Sequence, residues 1–268
     1  MVEIDGIIFL VEEQGLVGTL RITPRKEDLF HAAAQHMVEV LTRSQQGGKL
    51  CSVALAGGST PRGLYQLLAH PPYVSQIAWE RLRIFWGDER PVPPDHPDSN
   101  FRMAQEAFLS HVPIPPDQVF RIEGELAPEA AARRYERVLR EEFGVSNGEV
   151  PCFDLILLGM GADGHTASLF PGTSAVAELN QLVAAPWVES QQTFRVTVTP
   201  PVLNAAKNVI FLVSGLDKAV VLQAVLEGPR VPDRYPAQVV HPTTDGHVWW
   251  LIDSAAASHL AEHTVIGS

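Results

Sequence analysis

The sequence predicts an α/β fold, a mostly parallel sheet with helices on both faces, within a single domain over residues 1–268. Two observations predict it. Short apolar runs alternate with longer segments whose apolar residues recur every three or four positions. Three of the short runs also end in glycine-containing turns that open into the next segment. The segment before Pro24 reads as an edge strand. From Arg25 to Gln46, Leu29, Phe30, Ala33, Ala34, Met37, Val40 and Leu41 mark one face of a helix, with Pro24 at its start. Leu50 to Ala56 is a strand that ends on Gly57-Gly58 and leads into a helix at Pro61 to Ala69. Leu82 to Trp86 is a second strand, followed by Gly87-Asp88-Glu89-Arg90 and a helix near Ser99 to Leu109. Ala130 to Phe143 is amphipathic, with Gly144 as its C-cap. Phe153 to Leu158 is a buried strand running into Gly159 to His165 and a helical turn stopped at Pro171-Gly172. Strands follow at Phe194 to Thr199, Val209 to Val213 and His247 to Ile252. Helices are expected at Pro201 to Ala206, Asp217 to Leu226 and Ser254 to Glu262.

Composition narrows the function. The 268 residues carry 20 Lys plus Arg against 31 Asp plus Glu, a formal net charge of −11, which argues against a general nucleic-acid binder. The longest apolar runs, Phe153 to Ala162 and Val209 to Val213, fall short of the roughly 20 residues of a spanning helix, so no membrane segment is expected. Glu3 and Asp5 stand where a secretory signal carries Lys or Arg, and a cytoplasmic location is expected. Cys51 and Cys152 read as small buried hydrophobes, with no disulfide framework or zinc site.

In a parallel sheet covered on both faces, ligands sit beyond the carboxyl ends of the strands, so chemistry is sought in the strand-to-helix turns. Gly57-Gly58-Ser59-Thr60-Pro61-Arg62 brings free N–H groups, two hydroxyls and a helix N-terminus to one point, an anion cradle. It lacks the spacing and Lys of a P-loop, so a phosphate on a small molecule fits better than a nucleoside triphosphate. Gly159-Met160-Gly161-Ala162-Asp163-Gly164 matches the letters of the dinucleotide fingerprint. The helix after it is cut short by Pro171-Gly172, and no acidic residue ends a second strand about 20 residues on, so the NAD reading fails. His165 at the mouth of that turn suits a general base, with Asp163 able to orient its ring. Asp88, Glu89 and Arg90 end a strand in the same class of position. Arg195 and Lys218 are candidate cations for a local positive pocket in an acidic protein. Among the other nine histidines, His31 and His36 are five apart, not four, and do not share a helix face well.

With these residues in place the sequence resembles the 6-phosphogluconolactonase family over nearly its whole length. The resemblance rests on Ala54-Leu55-Ala56-Gly57-Gly58-Ser59-Thr60-Pro61, on Trp86-Gly87-Asp88-Glu89-Arg90 with Asp98-Ser99-Asn100, on Gly159 to Pro171, and on Arg195-Val196-Thr197 with Thr199-Pro200. It implies a mostly parallel, Rossmann-like α/β fold shared with sugar-phosphate isomerases and deaminases. It also implies hydrolysis of 6-phospho-D-glucono-1,5-lactone without cofactor or metal, with a phosphorylated sugar lactone as the small-molecule partner. Carried over, the family pattern makes His165 the general base and gives Asp88 and Arg90 a catalytic or substrate-orienting role. The Gly57, Gly58, Ser59 and Thr60 turn, with Asp163, Arg195 and Lys218, falls to the substrate and its phosphate.

Two rivals remain. The deaminase branch follows Asp-Gly-His with Ile-Ala-Phe-Asn-Glu-Pro, whose Glu serves a proton relay. Here the same stretch reads Thr166-Ala167-Ser168-Leu169-Phe170-Pro171, and Phe170 cannot relay a proton. A silent sugar-phosphate sensor would need the cradle but no Asp88, Arg90 or His165.

Overall fold

The computed structural model describes residues 7–10, 18–242, 246–261 and 264. In chain order its first half comprises β1 (Ile7–Leu10), β2 (Gly18–Thr23), α1 (Lys26–Ser44), β3 (Cys51–Leu55), α2 (Ser59–Leu68), β4 (Leu82–Trp86), β5 (Asp88–Glu89), α3 (Asn100–Ala107) and α4 (Pro128–Phe143). There follow β6 (Leu155–Leu158), β7 (Val183–Ala184), β8 (Trp187–Val188), β9 (Thr193–Phe194), β10 (Val196–Val198), α5 (Pro200–Asn204), β11 (Asn208–Val213), α6 (Ala219–Leu226), β12 (His247–Asp253) and α7 (Ser254–Ala257).

The main sheet has seven strands in the order β1-β2-β12-β11-β6-β3-β4. Six are parallel; only β1, paired with β2, runs antiparallel at the edge. Every residue of β3 and β6 is buried, as is all but the first residue of β11. Their sequences are therefore mostly apolar without alternation, Ser52 in β3 and Asn208 at the start of β11 being the polar members, as strands covered on both faces require. α1 turns Leu29, Ala33, Met37 and Val40 inward, and Glu27 and Asp28 in its first turn oppose the positive end of its dipole. α4 opens with Pro128 at its first turn and closes on Gly144 at φ 62°.

The chain runs outward from β3 to β4, then returns to place β6 on the other side of β3 and proceeds through β11 to β12. The direction of winding therefore reverses between β3 and β6, and their carboxyl ends form the crevice where such sheets bind ligands.

Several expectations are corrected. The run from Phe194 to Thr199 is two strands: β9 closes a hairpin with β8, whereas β10 joins β5 and β7 in a small antiparallel sheet. The residue between them is Arg195, whose N–H donates to the Pro186 carbonyl at 3.0 Å, in the register of the β8–β9 pairing. No helical turn follows His165. Gly164 (φ 83°) and Ala167 (φ 46°) both take left-handed backbone, which a right-handed helix cannot include. Pro24 lies outside α1, whose N-cap is Arg25. The last helix ends at Ala257 rather than at Glu262, which lies outside the described residues. Cys51 is buried, but Cys152 is exposed and is not the buried hydrophobe expected. No helix among the described residues is long and apolar enough to cross a membrane.

Candidate active site

A cleft of about 320 Å³ opens at the carboxyl ends of β3, β4, β6 and β11. It brings together Gly57 to Pro61, Asp88, Arg90, His165, Arg195 and Lys218, which lie in separate parts of the sequence. Two buried tyrosines hold the strand ends that feed it. The Tyr65 hydroxyl, from α2, donates to the Ala56 carbonyl and accepts from the Ala56 N–H, both at 3.0 Å. The Tyr135 hydroxyl, from α4, does the same for Trp86, donating at 3.0 Å and accepting at 2.9 Å. Tyr65 satisfies the peptide just past the end of β3 and Tyr135 that of the last residue of β4, each next to the glycine turn that follows.

Gly58 is the N-cap of α2 at φ 100°, a backbone that favours glycine. No side chain caps this helix and its first turn holds no acidic residue. Its leading N–H groups and dipole therefore point at the cleft without an internal anion. The Thr60 hydroxyl lies 3.3 Å from that of Ser214, beyond the end of β11. Lys218 pairs with the exposed Asp217 at 3.1 Å. Gly57 packs directly on Asn100: a Cβ there would fall 2.0 Å from Asn100 Oδ1.

Asp88 is buried with both carboxylate oxygens engaged. Oδ2 accepts from the Ser168 hydroxyl at 2.6 Å, and Oδ1 from Asn100 Nδ2 at 3.3 Å. Burial pushes the Glu89 carboxyl up, against the opposing pull of the N–H groups of Asn100, Phe101 and Arg90. Arg90 Nη1 donates to the Asp98 carbonyl, and Arg195 Nη1 to the Phe194 carbonyl at 2.9 Å. Burial, and then the neighbouring Arg90, depress the Arg195 guanidinium below its ordinary value, while Asp88, Asp98 and Glu89 counter in part. Two guanidinium groups near one another at the mouth of a cleft form a site for an anion or a developing oxyanion.

His165 sits on a closed turn. The Gly161 N–H donates to the His165 carbonyl at 2.8 Å, and the Gly164 N–H to the Gly161 carbonyl at 3.1 Å. A Cβ on Gly161 would lie 2.1 Å from His165 Nδ1, so this glycine makes room for the imidazole and not for a dinucleotide. Asp163 Oδ1 accepts from His165 twice, from ring Nδ1 at 2.6 Å and from the backbone N–H at 3.1 Å. A carboxylate only accepts, so Nδ1 carries the proton and Nε2 presents its lone pair. Burial would raise the Asp163 carboxyl, but the hydrogen bond from the His165 ring and its charge pull it below the ordinary value. The imidazole stacks on Phe170 with centroids 4.0 Å apart and planes at 23°.

The sequence-predicted residues therefore converge, with one difference of role. Asp163 is not among the residues that line the cleft; it stands behind His165 and holds the ring. Four cleft residues with polar side chains were not anticipated as site residues: Asn100, Ser168, Gln191 and Ser214. Asn100 and Ser168 fall inside the family-marker blocks. Ser214 follows β11 just as Gly57 follows β3, so its position beyond a strand end was the available signal; Gln191, at the tip of the β8–β9 hairpin, carried none. Among the described residues no group of three or more His, Cys, Asp or Glu side chains is disposed to hold a metal ion.

Comparison with known proteins agrees with this geometry. The sequence profile of the family described as "Glucosamine-6-phosphate isomerases/6-phosphogluconolactonase" matches residues 24–250. The chain is 42% identical over 210 residues to a 6-phosphogluconolactonase of Synechocystis sp., covering 78% of this chain and 84% of that protein. It is 40% identical over 246 residues to one of Nostoc sp., covering 91% and 98%. The solved structure of 6-phosphogluconolactonase from Trypanosoma brucei superposes with a TM-score of 0.78 at 33% identity, covering 91% of this chain and 99% of that one.

Proposed function

The chain belongs to the family of glucosamine-6-phosphate isomerases and 6-phosphogluconolactonases, and on that premise we propose that it hydrolyses 6-phospho-D-glucono-1,5-lactone to 6-phospho-D-gluconate. The observation that carries this reading is the His165–Asp163 pair, with Nε2 free at a cleft that also holds an uncapped helix N-terminus and two arginines. His165 Nε2 takes a proton from a water that attacks the lactone carbonyl C1. The charge that develops on the carbonyl oxygen is met by Arg90, and the ring oxygen leaves with the proton returned by the imidazolium. A positioned general base contributes about 10²- to 10⁴-fold, a large part of what a lactone that already hydrolyses unaided requires. The phosphate sits on the Gly57-Gly58-Ser59-Thr60 turn at the start of α2, with Lys218 and Arg195 as its cations. Asp88 touches no reacting atom in this scheme; it positions Ser168 and Asn100.

Stacking of Phe170 on His165 favours the lactonase over the deaminase branch, since an aromatic ring relays no proton. The same reading places the chain in the cytoplasm, at the lactone-hydrolysing step of the oxidative pentose phosphate pathway, needing neither metal nor cofactor. The test measures loss of freshly generated lactone above its spontaneous rate for the native protein and His165→Ala, with EDTA present, and with glucosamine 6-phosphate as a control substrate. Fast hydrolysis that survives EDTA and collapses in the variant is expected. Ammonia release from glucosamine 6-phosphate would instead support the deaminase, and silence on both substrates the sensor.

A further inference from the structure

We propose that Glu89 is a positioning residue of this site: its buried carboxylate fixes Arg90 and Asn100 by accepting both of their backbone N–H groups on one oxygen. Glu89 Oε1 accepts from the Arg90 N–H and the Asn100 N–H, each at 2.8 Å. Oε2 accepts from the Phe101 N–H at 2.9 Å and the Ser99 hydroxyl at 3.0 Å. The residues held in this way reach the cleft from two sides. Arg90 lines it, while Asn100 Nδ2 donates to the Asp88 carbonyl at 3.0 Å and Asn100 Oδ1 packs against Gly57. One carboxylate thereby sets the spacing between the anion cradle, Asp88 and Arg90.

Capping α3 accounts for only part of this arrangement: the Asn100 and Phe101 N–H groups are the first two of the helix, but the Arg90 N–H lies outside it. Ser99 already occupies the N-cap, and its hydroxyl accepts from the Arg102 N–H at 3.1 Å. Glu89 is a second acceptor brought in from β5. It is 2% exposed and makes no salt bridge among the described residues, so the cost of burying its charge is met by hydrogen bonds and the positive end of the α3 dipole, with Arg195 and Arg121 adding a longer-range attraction. A cap for α3 would take the Asn100 and Phe101 N–H groups alone and leave the Arg90 N–H out. A cleft that must keep Arg90 and Asn100 in register across a loop of ten residues needs an acceptor between them. β5 supplies it because its pairing with β10 places Glu89 opposite Val196, beside Arg195.

The inference rests on the catalytic role given to Arg90 above, and the experiment separates the two. Glu89→Gln keeps the shape but can offer only one acceptor oxygen to four donors. In the whole protein it is expected to lower kcat by about tenfold to a hundredfold with little change in KM, and to speed hydrogen exchange at the Arg90 and Asn100 amides. In an Arg90→Ala background the same substitution is expected to cost far less, because its effect passes largely through Arg90. Equal fold losses in both backgrounds, unchanged kcat, or unchanged exchange at those two amides would each overturn the proposal. If Arg90→Ala keeps native kcat, the catalytic role of Arg90 falls, and the exchange measurement still decides whether Glu89 holds the loop. Should Glu89→Gln not fold, Glu89→Asp, which shortens the arm by one methylene and keeps the charge, goes through the same cycle.

Discussion

Replacing Asp163 by Asn tests the proposed base where the geometry is tightest. In the native protein Oδ1 takes both the ring Nδ1–H and the backbone N–H of His165. An asparagine would keep its own oxygen there, because the backbone N–H needs an acceptor and the amide nitrogen cannot serve. The tautomer is then preserved, and only the negative charge facing the imidazolium in the transition state is lost. Two charges about 4 Å apart interact by roughly 4 kcal/mol at an effective dielectric of 20 and roughly 1 kcal/mol in water. The Asp163 side chain is 43% exposed, which places the value in the lower half of that range. A loss of about 1–2 kcal/mol corresponds to about 5- to 30-fold in kcat, with KM unchanged because the phosphate anchor is untouched. Initial rates on freshly generated lactone, corrected for spontaneous hydrolysis, give both constants. A kcat within about twofold of native would show that the charge is not used. A loss approaching the roughly 10⁴-fold that follows a wrong tautomer would show that the amide flips, and the reasoning about the shared acceptor would fail.

Two further outcomes follow. Lys218→Ala is expected to raise KM for the phosphorylated lactone by about tenfold, consistent with loss of one partly exposed charge-assisted contact, and to leave D-glucono-1,5-lactone hydrolysis unchanged; equal effects on both substrates would remove Lys218 from the phosphate site. His36, packed on Trp249 at 4.0 Å, is lowered to about 4 by burial and then by the charges of Arg43, Arg21 and His247. The folded state therefore disfavours the protonated ring, and the unfolded chain binds that proton first. Stability is full above the ordinary imidazole value and is lost as pH falls from about 6.5 to 4, by about 3 kcal/mol. Urea midpoints across that range should fall steeply in the native protein and less so in His36→Phe; the same slope in both would sink the assignment.

Five strands of the main sheet, β3, β4, β6, β11 and β12, were legible because apolar runs and glycine punctuation are local signals; the segment before Pro24, read as one edge strand, holds two, with β2 inside the sheet. Leu82–Trp86 was placed to the residue, and the three turns were correctly expected to meet. What escaped was non-local. Strands β5, β7 and β10 are two or three residues long, too short to show a period, and exist only because the folded loops bring them together. The helix expected after His165 failed because left-handed backbone at Ala167 is imposed by the turn that seats Ser168 under Asp88, a choice no propensity signals. Asp163 was legible as the residue that orients the His165 ring, from its spacing of two, whereas Glu89 was read only as one of three charges ending a strand and is a buried acceptor whose donors come from a distant helix start.

The central strand β6 lies between β3 and β11, and so joins the two oppositely wound halves of the sheet. The cradle belongs to one half and Lys218 to the other, while His165 hangs from the strand between them. The complete site therefore needs strands from both halves. A substrate or product that fills the cleft grips both halves at once, and its binding free energy opposes separation of the sheet as a whole: about 2.7 kcal/mol at a hundred times Kd. Occupancy by its own metabolite would thus act as a reversible staple across the middle of the sheet, and protection from heat or protease should rise with sugar-phosphate concentration over the entire molecule.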